Sequence, residues 1–246
     1  ADLLIKSNAI FDSVGDKPFS GYVAIKGNKI AAVGKDMAEA AAWIDDSTQV
    51  FDFEDKLVMP GFHDSHTHLI MAGMNKTSPN LGAAKSEEEA AQMLKEYYDA
   101  NPTDGWIYGF NWYHVFWDVK ELPKKETLDK YFPDQPVFLV NAEAHGAWVN
   151  SKALEIAGIT KDTPDPFGGE INRDENGEAT GFLYESAIEP VAKYALVFSE
   201  EQERTYLKKY MEGAAQLGIT GVVDVQPYFG RDLGSLDVYT GLEKDG

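Results

Sequence analysis

Ten residues, Pro60-Gly61-Phe62-His63-Asp64-Ser65-His66-Thr67-His68-Leu69, constrain this chain more than any other stretch. They follow the apolar run Leu57-Val58-Met59 and read as the end of a buried strand. Strand side chains alternate faces, so His66 and His68 share one face while Ser65 and Thr67 take the other. Their Cα atoms then lie ~6–7 Å apart. Two neutral imidazoles so spaced can converge on one divalent ion at ~2.0–2.1 Å each. By itself a His-x-His at a strand end is equally the mark of two polar residues facing solvent. His63 falls on the opposite face and reads as packing. Asp64 sits at a turn where an aspartate bonds backbone amides.

With 246 residues there is room for one large domain or two ordinary ones. Hydrophobic residues at 43% and aromatics at 12% place the chain among globular proteins. The net charge of −19, with Arg173, Arg204 and Arg231 as its arginines, argues against nucleic acid as a partner. Acidity of this size serves solubility first. The absence of cysteine excludes disulfides and thiolate-bound zinc. No apolar run approaches the ~20 residues of a membrane helix, and Ala1 to Lys6 lack a signal-peptide pattern. The expectation is therefore no membrane partner and a cytoplasmic protein. A first residue other than Met leaves open a trimmed leader or a late start.

Residues 1–58 read as a small β unit. Tyr22 to Ile25 and Lys29 to Val33 flank Gly27-Asn28, a two-residue hairpin signal, and Leu3 to Ile5 and Val50 to Phe53 add strands. Asp36 to Trp43 is Ala-rich and reads as a short helix. Ser86 followed by Glu87-Glu88-Glu89 is a helix start, the acids lying where the dipole favours them. Gly105 to Trp112 carries an aromatic at every second position, a strand pattern. Pro136 to Val140 is a buried strand, and after a turn a helix runs from Ser151 to about Ala157, stopped by Gly158. Asp174-Glu175-Asn176-Gly177 marks a second hairpin. Ser199 then caps a helix with Leu207, Met211, Ala214 and Leu217 on one stripe, and Ile219 to Val225 follows as a buried strand. A long helix feeding an apolar strand is the parallel-sheet pattern.

Taken together, Pro60 to His68 resembles the first barrel strand of the amidohydrolase superfamily. Three more segments resemble its metal-dependent hydrolase branch, the one that includes N-substituted formamide deformylase: Gly105 to Trp112, His145 to Leu154, and Gly181 to Ala187. Leu217-Gly218-Ile219-Thr220 with Asp224 resembles the start of the second barrel strand. The resemblance implies an α/β fold: the front part of a (β/α)8 TIM-type barrel, with a small N-terminal β-sandwich unit and an α+β insertion after barrel strand 1. Domain boundaries follow as 1–58 for the sandwich part and 59–246 for the barrel part, with 79–198 inserted and lining the site.

The same resemblance implies that His66 and His68 are metal ligands, with zinc the first choice and Mn or Fe alternatives. It implies a metal-bound hydroxide that attacks an amide- or formamide-type C–N bond of a small molecule. It also implies ligands that this chain lacks, since the family's further histidines and its proton-shuttling aspartate lie on later strands. The remaining histidines are His63, His114 and His145. The chain therefore reads as an incomplete portion, completed by a missing C-terminal half or by a second copy of itself. The rival readings are a catalytically inactive fragment and a binding module that keeps the fold. No catalytic residue is assigned within the chain. For substrate contact the candidates are His145, in a turn after a buried strand, Glu185, at a strand end, and Trp112, from the aromatic segment. His114 lies among aromatics and reads as packing.

Overall fold

The computed structural model describes residues 1–245 as a mixed α/β chain in two compact units, 1–63 with 218–221 and 64–217 with the described residues from 222 on. In the first unit, β1 (Leu3–Ile10), β2 (Phe19–Lys26) and β3 (Lys29–Gly34) are antiparallel neighbours. The β2–β3 turn is the expected one: Gly27 takes φ +58°, and Lys26 faces Lys29. A short helix, α1 (Met37–Ala40), precedes β4 (Gln49–Asp52) and β5 (Leu57–Val58), both parallel to β1. These strands make one five-stranded sheet, a single layer where a sandwich is expected. Its buried cluster is small: Leu4, Tyr22, Ala24 and Ala40.

The remaining elements run β6 (Phe62–Thr67), α2 (Leu69–Thr77), α3 (Glu87–Ala100), β7 (Ile107–Trp112), α4 (Lys125–Asp129), β8 (Val137–Asn141) and β9 (Gly146–Val149). Then come α5 (Ser151–Ala157), β10 (Gly169–Arg173), β11 (Ala179–Glu185), α6 (Glu189–Ala195), α7 (Glu200–Gln216), β12 (Ile219–Asp224) and α8 (Leu236–Asp245). Local signals decide most boundaries. Ser86 Oγ accepts from Glu89 N at the start of α3, and Ser199 with Gln202 forms a capping box on α7. Gly158 ends α5 in the left-handed conformation at φ +69°.

A five-stranded sheet in the order β10-β11-β9-β8-β7 divides two cores. The interior strand β8 is buried on both faces, so its alternation assigns Phe138 and Val140 to one core and Val137 and Leu139 to the other. The first core is closed by α2, α5, α6 and α7 through Ile70, Leu154, Val191 and Leu207; the second by α3 and α4 through Leu94 and Leu128. On α7 the expected stripe is only half buried. Leu207 and Ala214 are inside, whereas Met211 is 57% and Leu217 70% exposed. Tyr206 and Tyr210 pack against the core in their place, which rotates the buried face of the helix.

Strands β6 and β12 are neighbours in a two-stranded sheet. Phe62 N donates to Gly218 O at 2.8 Å near the start of both, and Val225 N donates to Thr67 O at 2.7 Å near their ends. Both bonds advance together along the two strands, so the strands run parallel. Among the described residues no helix is long and apolar enough to cross a membrane.

Helices α2 and α7 meet at Gly73, where a Cβ would stand 1.9 Å from Tyr206 O. Because backbone lies on the far side, nothing flexible can yield. We expect Gly73→Ala to cost ~1–3 kcal/mol through overpacking, offset by only about 1 kcal/mol of helix propensity. An unchanged or raised thermal midpoint would contradict this. A second expectation concerns alkaline pH. Tyr98 OH donates to Tyr108 O, and Tyr108 N donates back to that hydroxyl, both at 3.0 Å. Burial pushes the Tyr98 phenol up to about 12 and the Tyr108 phenol in the same direction. Unfolded phenols ionise near ~10, so the folded state keeps protons that the unfolded state gives up. Stability is complete below about pH 10 and falls as pH climbs towards 12. Denaturation midpoints that stay flat across that window would overturn the account.

Candidate functional site

Strand β6 ends at Thr67, and His68 is the residue that caps α2. The period-two spacing holds: the His66 and His68 rings stand 5.6 Å apart between centroids at 88° to each other. Both line one open cleft of about 320 Å³ together with Met71, Asn75, Phe110, Asn111, Val140 and Tyr228. His68 Nδ1 lies 2.6 Å from the carbonyl oxygen of Val225. A carbonyl only accepts, so Nδ1 carries a proton and donates; in the neutral ring the lone pair is then on Nε2. The Tyr228 ring closes on His68 edgewise at 4.9 Å. Burial raises the Tyr228 phenol well above its ordinary range, so it stays an uncharged O–H at neutral pH.

Asp224, at the end of β12, holds this corner together. His68 caps α2 without a side-chain hydrogen bond of its own. Asp224 Oδ1 instead accepts from Leu69 N, the first amide of the helix, at 3.0 Å. A carboxylate there also meets the positive end of the helix dipole. Its other oxygen accepts from Gln226 Nε2 at 3.0 Å and from the Tyr239 hydroxyl of α8. Three hydrogen bonds thus hold the Asp224 carboxylate, which positions the start of α2 next to His68. Asp64 Oδ1 accepts from His66 N at 3.1 Å, the backbone role expected for it. The His63 ring covers Gly221, where a Cβ would stand 2.5 Å from it; packing is its role. Among the described residues no three His, Asp or Glu side chains form a metal-holding group.

The other expected contact residues are elsewhere. Trp112 has no exposed surface: it fills the second core, and its Nε1 donates to Leu139 O at 3.2 Å. The reason is a bulge. The register of β7 on β8 runs Phe110↔Val140 and then Trp112↔Asn141, so Asn111 is the extra residue and Trp112 turns to the other face. Accordingly Trp106, Tyr108 and Phe110 pack on one core and Trp112 in the other. His145 Nδ1 lies 2.9 Å from Glu185 Oε1, and both side chains are more than half exposed. Neither is among the residues that line the His66–His68 cleft, although Ala144, next to His145, is. His114 packs against Trp112 and Phe182 rings, and burial lowers its imidazole. The residues that sequence reasoning misses are Tyr228, Asn75 and Asn111. Tyr228 lies just past a strand end, where active groups of α/β proteins gather, and Asn111 is the polar break in an aromatic strand.

We expect Asp224→Ala to leave Leu69 N, Gln226 and Tyr239 without their acceptor. Stability should fall by about 2 kcal/mol or more, with Asp224→Asn intermediate. Chemical denaturation that shows Asp224→Ala as stable as the parent would remove Asp224 from this role.

A family model described as "Amidohydrolase family" matches residues 49–246. Protein LONG AFTER FAR-RED 3 of Arabidopsis thaliana is 36% identical over 229 residues, which cover 93% of this chain and 39% of that protein. N-substituted formamide deformylase of Arthrobacter pascens is 31% identical over 210 residues, 82% of this chain and 38% of that enzyme. The crystal structure of an uncharacterized metal-dependent hydrolase from Pyrococcus horikoshii OT3 superposes with a TM-score of 0.69 at 27% identity, covering 99% of this chain and 46% of the other. The chain thus spans less than half the length of each of these three proteins. The match runs through the His66–His68 strand, the five-stranded sheet and β12 alike, and the chain belongs to the amidohydrolase family.

Proposed function

We propose that this chain is the front portion of a metal-dependent hydrolase, and that His66 and His68 are its first two metal ligands. One observation carries the reading: the Val225 carbonyl accepts the Nδ1–H of His68, so that in the neutral ring Nε2 is the nitrogen left to bind a metal, beside His66 in an open cleft. Metal-bound histidines are held in this way by a partner on the other ring nitrogen. An ion there supplies Lewis acidity, polarising a carbonyl and making water a competent nucleophile near neutral pH. Two imidazoles suit zinc, manganese or iron and leave about half of a four-coordinate shell open. In this reading the other ligands belong to residues beyond this chain, and so does the group that moves the proton. The short span of the matches supports that, as do the parallel bonds between β6 and β12, which we take as the first two strands of a (β/α)8 barrel.

The bond cleaved is an amide- or formamide-type C–N bond of a small molecule. The deformylase relative, at 31% identity, supports that choice. The chain's own residues bind and orient: His68 is fixed by Val225 and Tyr228, and Met71, Phe110 and Val140 give the cleft apolar walls.

The isolated 246-residue chain should bind zinc weakly, lose it to a chelator, and lose its affinity further in His66→Gln and His68→Gln. The whole protein should retain metal and hydrolyse N-substituted formamides, with each variant reducing kcat/KM at least about a hundredfold. Turnover that survives both substitutions, or stoichiometric zinc held without either histidine, would refute the assignment.

A further inference from the structure

Across the cleft from the histidine pair, two carboxamides face each other. Asn75 Nδ2 donates to Asn111 Oδ1 at 3.3 Å, and Asn111 Nδ2 donates to Asn75 Oδ1 at 3.2 Å. Both line the cleft that His66 and His68 line. Asn75 lies two helical turns along α2 from His68, ~10–11 Å by helix rise, so it shares the cleft-facing side of that helix. Asn111 arrives there because it is the bulged residue of β7, with φ +67°. That region is disfavoured for a non-glycine residue, and asparagine tolerates it better than most. The bulge re-aims one polar side chain out of an otherwise aromatic strand.

The charges around this pair narrow what it can hold. Among the described residues no Lys, Arg, Asp or Glu lines the cleft. In the metal-free cleft a carboxylate-bearing substrate would lose hydration with no counter-charge from these walls, against a protein of net charge −19. Reciprocal pairing uses one N–H and one carbonyl lone pair of each asparagine. One N–H and one lone pair per side chain remain. A neutral amide or urea presents donors and acceptors that match both. A carboxylate only accepts, and an ammonium only donates. At about 320 Å³ the cleft stands at the small end of ligand sites.

We propose that the Asn75–Asn111 pair is the recognition element of this cleft for a small, uncharged, amide-bearing substrate, with Asn111 as the residue that sets specificity. This deepens the hydrolase reading for the reaction, but the binding it asserts stands or falls without turnover.

The test uses the whole protein, zinc-loaded and metal-stripped, with N-cyclohexylformamide and its 4-carboxy and 4-amino analogues as probes in calorimetric titration. The metal-stripped parent should bind the neutral probe at least about tenfold more tightly than the carboxylated one. Asn111→Gly accepts the left-handed backbone without strain and removes the carboxamide. Its affinity for the neutral probe should fall about tenfold, the scale of one or two lost hydrogen bonds, with the thermal midpoint held or raised. Asn75→Asp keeps the shape, so it should weaken the neutral probe and favour the amino probe even if Asn111→Gly folds poorly. The proposal is overturned if the metal-stripped parent prefers the carboxylated probe, if it binds none, or if both variants keep the parent's affinity for the neutral one. Selective binding with no turnover in the zinc-loaded protein would instead refute the hydrolase reading and leave the recognition element standing.

Discussion

A single hydrogen bond, from His68 Nδ1 to the carbonyl of Val225, joins positions 157 residues apart and decides what the cleft can do. It fixes which ring nitrogen carries the proton and which way the imidazole turns. For it to form, β6 and β12 must lie side by side in parallel register, and that requires α7 to bring the chain back beside α2. Gly73 permits the close approach of those two helices, and Asp224 ties the first amide of α2 to the strand end. Remove any of these, and His68 loses either its position or its tautomer.

The long stretch between the two strands carries a five-stranded sheet of its own. Its mixed sheet is buried on both sides at β8, and each face closes with helices whose apolar residues the alternation of the strands has sorted in advance. Most of the ion pairs, such as Lys95–Asp99 and Lys152–Glu155, are exposed and at best worth about 1 kcal/mol each. Burial of apolar area therefore does most of the stabilising. Polar groups matter where they are few and enclosed: Asn150 takes Val137 N and gives to Phe132 O and Gln135 O, pinning the start of β8.

What was legible in the amino-acid order was whatever depends on near neighbours. The Gly27-Asn28 and Asp174 to Gly177 turns, the caps at Ser86 and Ser199, and the stop at Gly158 are each decided within a few residues. The common face of His66 and His68 was legible for the same reason, since a strand alternates strictly unless something interrupts it. At Asn111 something does. One extra residue carries Trp112 from the cleft side into the core, and no periodicity argument can foresee where a strand will bulge. The buried face of α7 shifted because Tyr206 and Tyr210 supplied packing that a stripe of aliphatic residues had been expected to supply. The ties of Asp224 to Leu69, Gln226 and Tyr239, and the placing of Tyr228 over His68, are long-range facts about how strands assemble. The parallel pairing of β6 with β12 was anticipated from the motif and the helix-to-strand pattern.

The tautomer of His68 tests the central claim most directly. Long-range nitrogen–proton correlation spectra of the metal-free protein, with the ring nitrogens labelled, distinguish a proton on Nδ1 from one on Nε2. We expect His68 as the Nδ1–H form, with the pattern lost in Asp224→Ala, where the strand end no longer holds the ring against Val225. A proton resident on Nε2 would mean that the lone pair faces Val225 rather than the cleft, and the site as described would not exist.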